Sequence, residues 1–138
     1  LGETMANAQR DTRSEFRSVI RNILFVVLAV ALFLMKRQYS GPGQELVHSY
    51  GGNLTVSFAL YFVFLRLCMM LPRYGRLVAA AVVLACVECF EVFNGFGFMA
   101  NTVDPYDLLA NVFGIAIALS LDAMLSQHHS EKSSTTSP

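Results

Sequence analysis

Charged residues are scarce in this chain: only 14% of its 138 residues are Asp, Glu, Lys or Arg. A typical soluble domain has about a quarter. The charged residues lie mainly near the two ends and in short gaps, so the hydrophobic residues, 54% of the total, form long stretches. None of these stretches has a continuous charged face, which excludes the amphipathic helices of a soluble protein. The composition therefore predicts an integral membrane protein.

Other features that the sequence lacks reduce the number of possible functions. The 10 basic and 10 acidic residues balance, and this formal net charge of zero gives no indication of nucleic-acid binding. The sequence has no internal repeat and no phosphate-binding loop. Cys86 and Cys89 form a C-x-x-C within an apolar stretch, whereas redox motifs normally open a helix near a reactive turn. Packing is the better interpretation, with metal binding by this pair and Glu88 as a weak alternative, and we expect neither metal nor cofactor.

Four stretches are long enough to cross a membrane. A bilayer core about 30 Å thick requires roughly 20 mostly apolar helical residues. The four lie at about 19–35, 52–71, 77–93 and 107–125. We therefore predict an all-α membrane protein with one domain, a four-helix transmembrane antiparallel bundle over residues 19–125. Residues 1–18 form an N-terminal segment, and the polar, Ser/Thr-rich tail at 126–138 is predicted to be disordered.

Basic residues are distributed unevenly around these spans. Lys and Arg in short loops resist translocation, so the richer side faces the cytoplasm. The richer side carries Arg10, Arg13, Arg17, Arg21, Arg73, Arg76 and Lys132, and the other side carries Lys36 and Arg37. Both termini are therefore predicted to be cytoplasmic. The first residue is Leu1, which suggests a non-standard start codon or a processed end; no small-residue cleavage site follows the first stretch, so we expect a retained helix.

Two acidic residues lie within the third span. Glu88 and Glu91 are three residues apart and therefore share one helical face. Charged groups inside a bilayer are costly, which makes both residues functional candidates. The alternative is a hydrogen-bonded pair that holds the third helix against its neighbours.

A second polar group begins the fourth span. Asp104 is well placed as an N-cap before Pro105, and capping alone could explain it; the alternative is a place in a binding site. Residues Asp107, Asn111, Gly114 and Ala118 then form one stripe, which is typical of a helix–helix contact in membranes. We expect this stripe to touch the third helix and Asn111 to pair with its carboxylates. Asp122 is predicted to lie at the membrane interface, outside the site.

His48 lies in the connection between the first and second spans, on the side of Glu88 and Glu91. A lone histidine near an interface is more often structural. Because acidic residues are predicted at comparable depth, a contact between His48 and a carboxylate is the alternative.

The string Asp104-x-x-Asp107-x-x-x-Asn111-x-x-Gly114, preceded by Glu88-x-x-Glu91, resembles the VanZ-like family of small bacterial membrane proteins. A His near the start of the second helix is typical of that family, and His48 fits loosely. Glu91 departs from the pattern, since the family usually has Gln there, and the loop before Asp104 lacks the family's frequent Arg. The resemblance implies the bacterial inner membrane and, for some members, a link to glycopeptide resistance.

These observations predict a non-enzymatic protein that binds an amphiphilic ligand near the outer leaflet. The ligand would be a cell-wall lipid precursor or a lipophilic glycopeptide-type antibiotic. The predicted binding residues are Glu88, Glu91, Asp104, Asp107, Asn111 and His48. The alternative is a structural or accessory subunit of a larger membrane complex, with membrane lipids and a membrane protein as partners. An enzymatic role with Glu88 or Asp107 as general base is less favoured, because the sequence shows no nucleophile or anion-binding Arg nearby.

Overall fold

The computed structural model describes residues 2–68, 74–93 and 104–134. Within this part of the chain the regular structure is entirely helical. The helices are α1 (Gly2–Met35), α2 (Gln44–Cys68), α3 (Gly75–Val92) and α4 (Pro105–Ser134). A short 3₁₀ turn, Lys36–Gln38, follows α1. The predicted all-α fold is confirmed.

Three of these helices are long and apolar enough to cross a membrane. They contain the segments Thr12–Gln38, Gln44–Cys68 and Pro105–Ser126. The third helix, α3, has 18 residues and carries Arg76, Glu88 and Glu91 within them. Length and composition therefore support membrane-spanning helices in α1, α2 and α4, while α3 does not qualify by these measures.

The helix bounds differ from the predicted spans at both ends of the chain. The first helix begins at Gly2, well before residue 19. The last helix continues through Ser134, so the described part of the tail at 126–138 is helical rather than disordered. Polar residues at 126–134 include neither Gly nor Pro, the two strongest helix breakers, and the helix continues through them. Residues 69–71, predicted as the end of the second span, and 135–138 lie outside the described residues.

The second helix occupies the centre of the fold, because α1, α3 and α4 all pack against it. Its buried core residues are Tyr61, Phe62 and Leu65. The neighbouring helices contribute Ala79, Val83 and Val87 of α3, and Ile115 and Ala118 of α4. The small side chains Ala79 and Ala118 let these helices approach α2 closely. The first helix joins this core through Phe25, whose ring stacks on Phe62 with 4.8 Å between centroids.

Most of the apolar surface of α1 faces outward. Among its described side chains, only Asn22 and Ala29 are buried. Large apolar residues from Phe16 to Met35 are exposed on the other faces. So much exposed apolar surface is unusual for a soluble monomer and is expected where lipid or another protein covers the helix.

The predicted stripe on α4 is buried, as a helix–helix contact requires. Its contact at Gly114 is with α2 rather than α3. A Cβ atom at this position would collide with the carbonyl oxygen of Leu54 and the hydroxyl group of Ser57. The missing side chain therefore sets the close approach of α4 to α2, which the sequence analysis had assigned to α3.

We expect Gly114→Val to lower the free energy of unfolding by about 2 kcal/mol, the usual cost of adding bulk to a well-packed contact. Unfolding of the purified protein in mixed micelles, followed by helical circular dichroism, measures the effect. Ala116→Val is the control, because residue 116 is exposed on the same helix. Equal losses in both variants would contradict the close α2–α4 contact.

Candidate functional site

Polar side chains from three helices meet at one end of the fold. We call this group, Glu88 and Glu91 of α3, Asp107 and Asn111 of α4, and Asn53 of α2, the acidic cluster. The Asn111 side chain lies beside Glu88, and the Asn53 side chain lies beside both Glu91 and Asp107. The structure thus brings together four of the predicted site residues and adds Asn53.

The interior of the acidic cluster contains unpaired polar atoms. Asp107 is 8% exposed and Asn111 is 2% exposed, while Glu88 and Glu91 are half-buried. Oε1 of Glu88 and Nδ2 of Asn111 are buried without a hydrogen-bond partner among the described residues. A buried polar group left unpaired costs about 1 to 3 kcal/mol, so such groups gain from a ligand that pairs with them. These two side chains lie next to each other, so the acceptor of Glu88 and the donor of Asn111 are available either to each other or to a ligand.

One lysine reaches toward the acidic cluster. Lys36 follows α1, and its ammonium group lies 3.5 Å from the backbone oxygen of His48 and 5.1 Å from the centre of the Phe33 ring. The same ammonium occupies the space next to Gly52, where a side chain would collide with it. Its charge acts on Asp107. In the sequence Lys36 indicates only the topology, because the inward direction of its side chain depends on packing against α2.

His48 and Asp104 have structural partners. Nε2 of His48 donates to the carbonyl oxygen of Tyr39 at 3.1 Å, so the observed contact of the ring is with backbone rather than with a carboxylate. Oδ1 of Asp104 accepts the backbone N–H of Tyr106 at 3.0 Å, which confirms the predicted helix cap. Its Oδ2 accepts the Tyr50 hydroxyl at 3.2 Å. Asp104 lies next to the acidic cluster, with both oxygens engaged.

A second charged group lies at the other end of the fold, and we call it the ion cluster: Asp122 of α4, Arg21 of α1 and Arg76 of α3. Oδ1 of Asp122 lies 2.6 Å from Nη2 of Arg21, and Oδ2 lies 2.8 Å from Nε of Arg76. The second contact is an ion pair without hydrogen-bond geometry. Asp122 is only 1% exposed, so it is buried between the helices, and its predicted depth at the membrane interface stays a prediction. Burial is tolerated because two guanidinium groups accompany the carboxylate.

Uncharged polar groups adjoin the ion cluster. Oδ1 of Asn22 lies 3.4 Å from both Nε and Nη2 of Arg21. Tyr61, in the core of α2, lies close enough to Asp122, Arg76 and Arg21 for their charges to act on its hydroxyl group. Nδ2 of Asn22 and the Tyr61 hydroxyl are buried without a described hydrogen-bond partner. The sequence offered one signal for this arrangement, an acidic residue in the last span together with Arg21 inside the first.

The side chains that the structure describes determine which kinds of ligand each cluster can bind. In the described part of the chain, no three His, Cys, Asp or Glu side chains are arranged to hold a metal ion. The thiols of Cys68, Cys86 and Cys89 are free. The carboxyl and amide groups of the acidic cluster can accept hydrogen bonds, and its carboxyl groups can bind a positively charged group. Residues 94–103, including the loop that lacks the expected Arg, lie outside the described residues.

Comparison with known proteins gives no match to a family model, to a curated protein or to a solved structure. The resemblance to the VanZ-like family stays a prediction based on the motif residues.

We expect Asp122→Asn to lower the free energy of unfolding by about 2 to 3 kcal/mol. Removing one partner of a fully buried ion pair costs about 3 to 5 kcal/mol, and the arginine side chains here are 26% and 45% exposed, which reduces the loss. The measurement is unfolding in mixed micelles. Glu15→Gln, an exposed acid-to-amide change on α1, is the control. Wild-type stability in Asp122→Asn would show that the ion cluster contributes nothing to folding.

We expect Asp104→Ala to destabilise the protein by about 1 kcal/mol, the typical cost of a lost N-cap. Asp104→Asn should stay near wild-type stability, because Asn caps helices as well as Asp does. Thermal unfolding in detergent compares the two variants. Equal destabilisation by Ala and Asn would contradict the capping role.

Proposed function

We propose that this protein is a four-helix integral membrane protein of the VanZ-like type, located in a bacterial inner membrane, which binds the polar head of an amphiphile at the acidic cluster. The observation that carries the proposal is the convergence of Glu88, Asp107, Asn53 and their neighbours from three helices. Groups that are costly in a membrane are retained there mainly for a function. In this proposal the protein catalyses no reaction.

The chemistry of the acidic cluster supports a ligand with amino groups and other hydrogen-bond donors. The cluster contains three carboxyl groups, those of Glu88, Glu91 and Asp107, and the charge of one lysine, Lys36, acts on Asp107, so acidic groups are in excess. Charge-assisted hydrogen bonds to carboxylates are stronger than neutral ones. Cell-wall lipid precursors and lipophilic glycopeptide-type antibiotics both combine such donors with a hydrocarbon chain, and we propose them as the ligand class.

Contacts between the helix ends support a bundle in which α3 also spans the membrane and neighbouring helices run antiparallel. The ion cluster joins the middle of α1 to the start of α3 and the later part of α4. At the other end, Lys36 after α1 contacts His48 of α2, and Tyr50 of α2 contacts Asp104 before α4. The arginine-rich end is assigned to the cytoplasm by the positive-inside rule, which places the acidic cluster toward the outer leaflet.

A second candidate function is an accessory subunit of a membrane complex. The exposed apolar surface of α1, with only Asn22 and Ala29 buried among its described side chains, favours this role. In that case the acidic cluster would hold α2, α3 and α4 together, and α1 would bind the partner.

We expect wild-type protein extracted gently from its own membranes to retain an amphiphile detectable by native mass spectrometry. The double variant Glu88→Gln/Asp107→Asn should reduce retention at least about tenfold, because hydrogen bonds to charged groups contribute about 1.5 to 3 kcal/mol each. Glu45→Gln is the matched control, since Glu45 is an exposed acid in the first turn of α2.

Circular dichroism must show that the double variant is folded. An amphiphile retained equally by all three proteins would contradict binding at the acidic cluster. A protein partner of fixed stoichiometry, held equally by wild type and double variant, would instead support the accessory-subunit function.

A further inference from the structure

The middle part of α1 carries a basic stripe that the proposed function does not use. Arg13, Arg17 and Arg21 recur at intervals of four residues and therefore lie on one face of the helix. Arg13 and Arg17 are exposed, and Arg21 is part of the ion cluster. The stripe thus leads from the surface directly to the ion cluster.

The ion cluster has one more basic group than acidic groups. The single carboxylate of Asp122 is shared by Arg21 and Arg76, which approach its two oxygens separately. An Arg side chain has five N–H donors, and Arg76 approaches Asp122 through Nε, so its terminal nitrogens remain for another acceptor. The Arg76 side chain is 45% exposed, so an acceptor outside the helices can reach it. Asp122 therefore holds two guanidinium groups side by side while neutralising only one of them.

An apolar groove adjoins these basic groups. It has a volume of about 340 Å³ and is lined by Arg17, Ile20, Arg21, Leu24 and Phe25. Its arginines lie toward the start of α1, and Leu24 and Phe25 lie about one turn further along the helix. Positive charge followed by apolar surface complements an anionic phospholipid, in which a negatively charged phosphate is followed by an acyl chain.

We infer that this end of the protein holds one anionic phospholipid, with its phosphate on Arg17 and the ion-cluster arginines and an acyl chain along Ile20 and Leu24. Arginine binds phosphate through paired hydrogen bonds, and basic residues beside a membrane helix attract acidic lipids. The apolar groove favours a lipid over a free phosphate. This site is separate from the acidic cluster and stands whether or not the proposed function is correct.

The full-length protein in neutral detergent, supplied with equal amounts of dioleoylphosphatidylglycerol and dioleoylphosphatidylcholine, provides the test. Native mass spectrometry measures the ratio of the two lipids retained. We expect the wild type to prefer phosphatidylglycerol, and Arg17→Gln to lower that preference about fivefold, the factor for one basic residue near an anionic lipid surface. Arg17 has an exposed side chain and lies outside the ion cluster, so this variant should fold.

Arg66→Gln is the matched control, because Arg66 is an exposed arginine near the end of α2 and does not line the groove. Its lipid ratio should equal that of the wild type. Equal retention of the two lipids by the wild type, or equal losses in both variants, would overturn the site. Glycerol 1-phosphate in excess should not displace the lipid; full displacement would show a site for free phosphate and overturn the lipid assignment.

Discussion

The cost of placing charge among apolar helices governs this fold. Asp122 is almost completely buried, and it is accompanied by Arg21 and Arg76 from two other helices. A carboxylate without those partners would be strongly unfavourable in such surroundings. The ion cluster therefore fixes how three helices are rotated relative to one another. This matters most for α1, which buries few of its described side chains and is otherwise attached mainly through aromatic contacts such as Phe25 on Phe62.

The ion cluster and the acidic cluster both place charged residues among apolar helices, but they stabilise these residues in different ways. In the ion cluster, basic groups exceed the single acid, and the contacts are short and direct. In the acidic cluster, carboxyl groups exceed the nearby Lys36, and amides of Asn53 and Asn111 lie between them. The first arrangement is suited to holding helices in place. The second has carboxyl groups in excess of basic groups, which is why the proposed binding of a ligand with amino groups is assigned to it.

The sequence predicted features that depend on local chemistry. Apolar length identified the helices, the Asp104-Pro105 pair predicted the start of α4, and the four-residue spacing of Gly114 and Ala118 predicted a buried stripe. It predicted the contact of Asn111 with α3 but not the contact of Gly114 with α2, because the second contact depends on helix rotation. For the same reason Asp122 and Arg21, 101 residues apart, could not be paired from the sequence, and Asn53 and Lys36 were not recognised as neighbours of the acidic cluster.

The distance in sequence between Arg21 and Asp122 also bears on how the chain is made. Synthesis proceeds from the N-terminus, so α1 is made well before its anionic partner on α4, which follows Arg21 by 101 residues. Until then the Arg21 guanidinium must be solvated by water or lipid headgroups, which a long side chain near a helix end can reach. Completion of α4 supplies the carboxylate that replaces them. Assembly of the ion cluster is therefore a late event, which follows the packing of α1 on α2 and waits for the synthesis of α4.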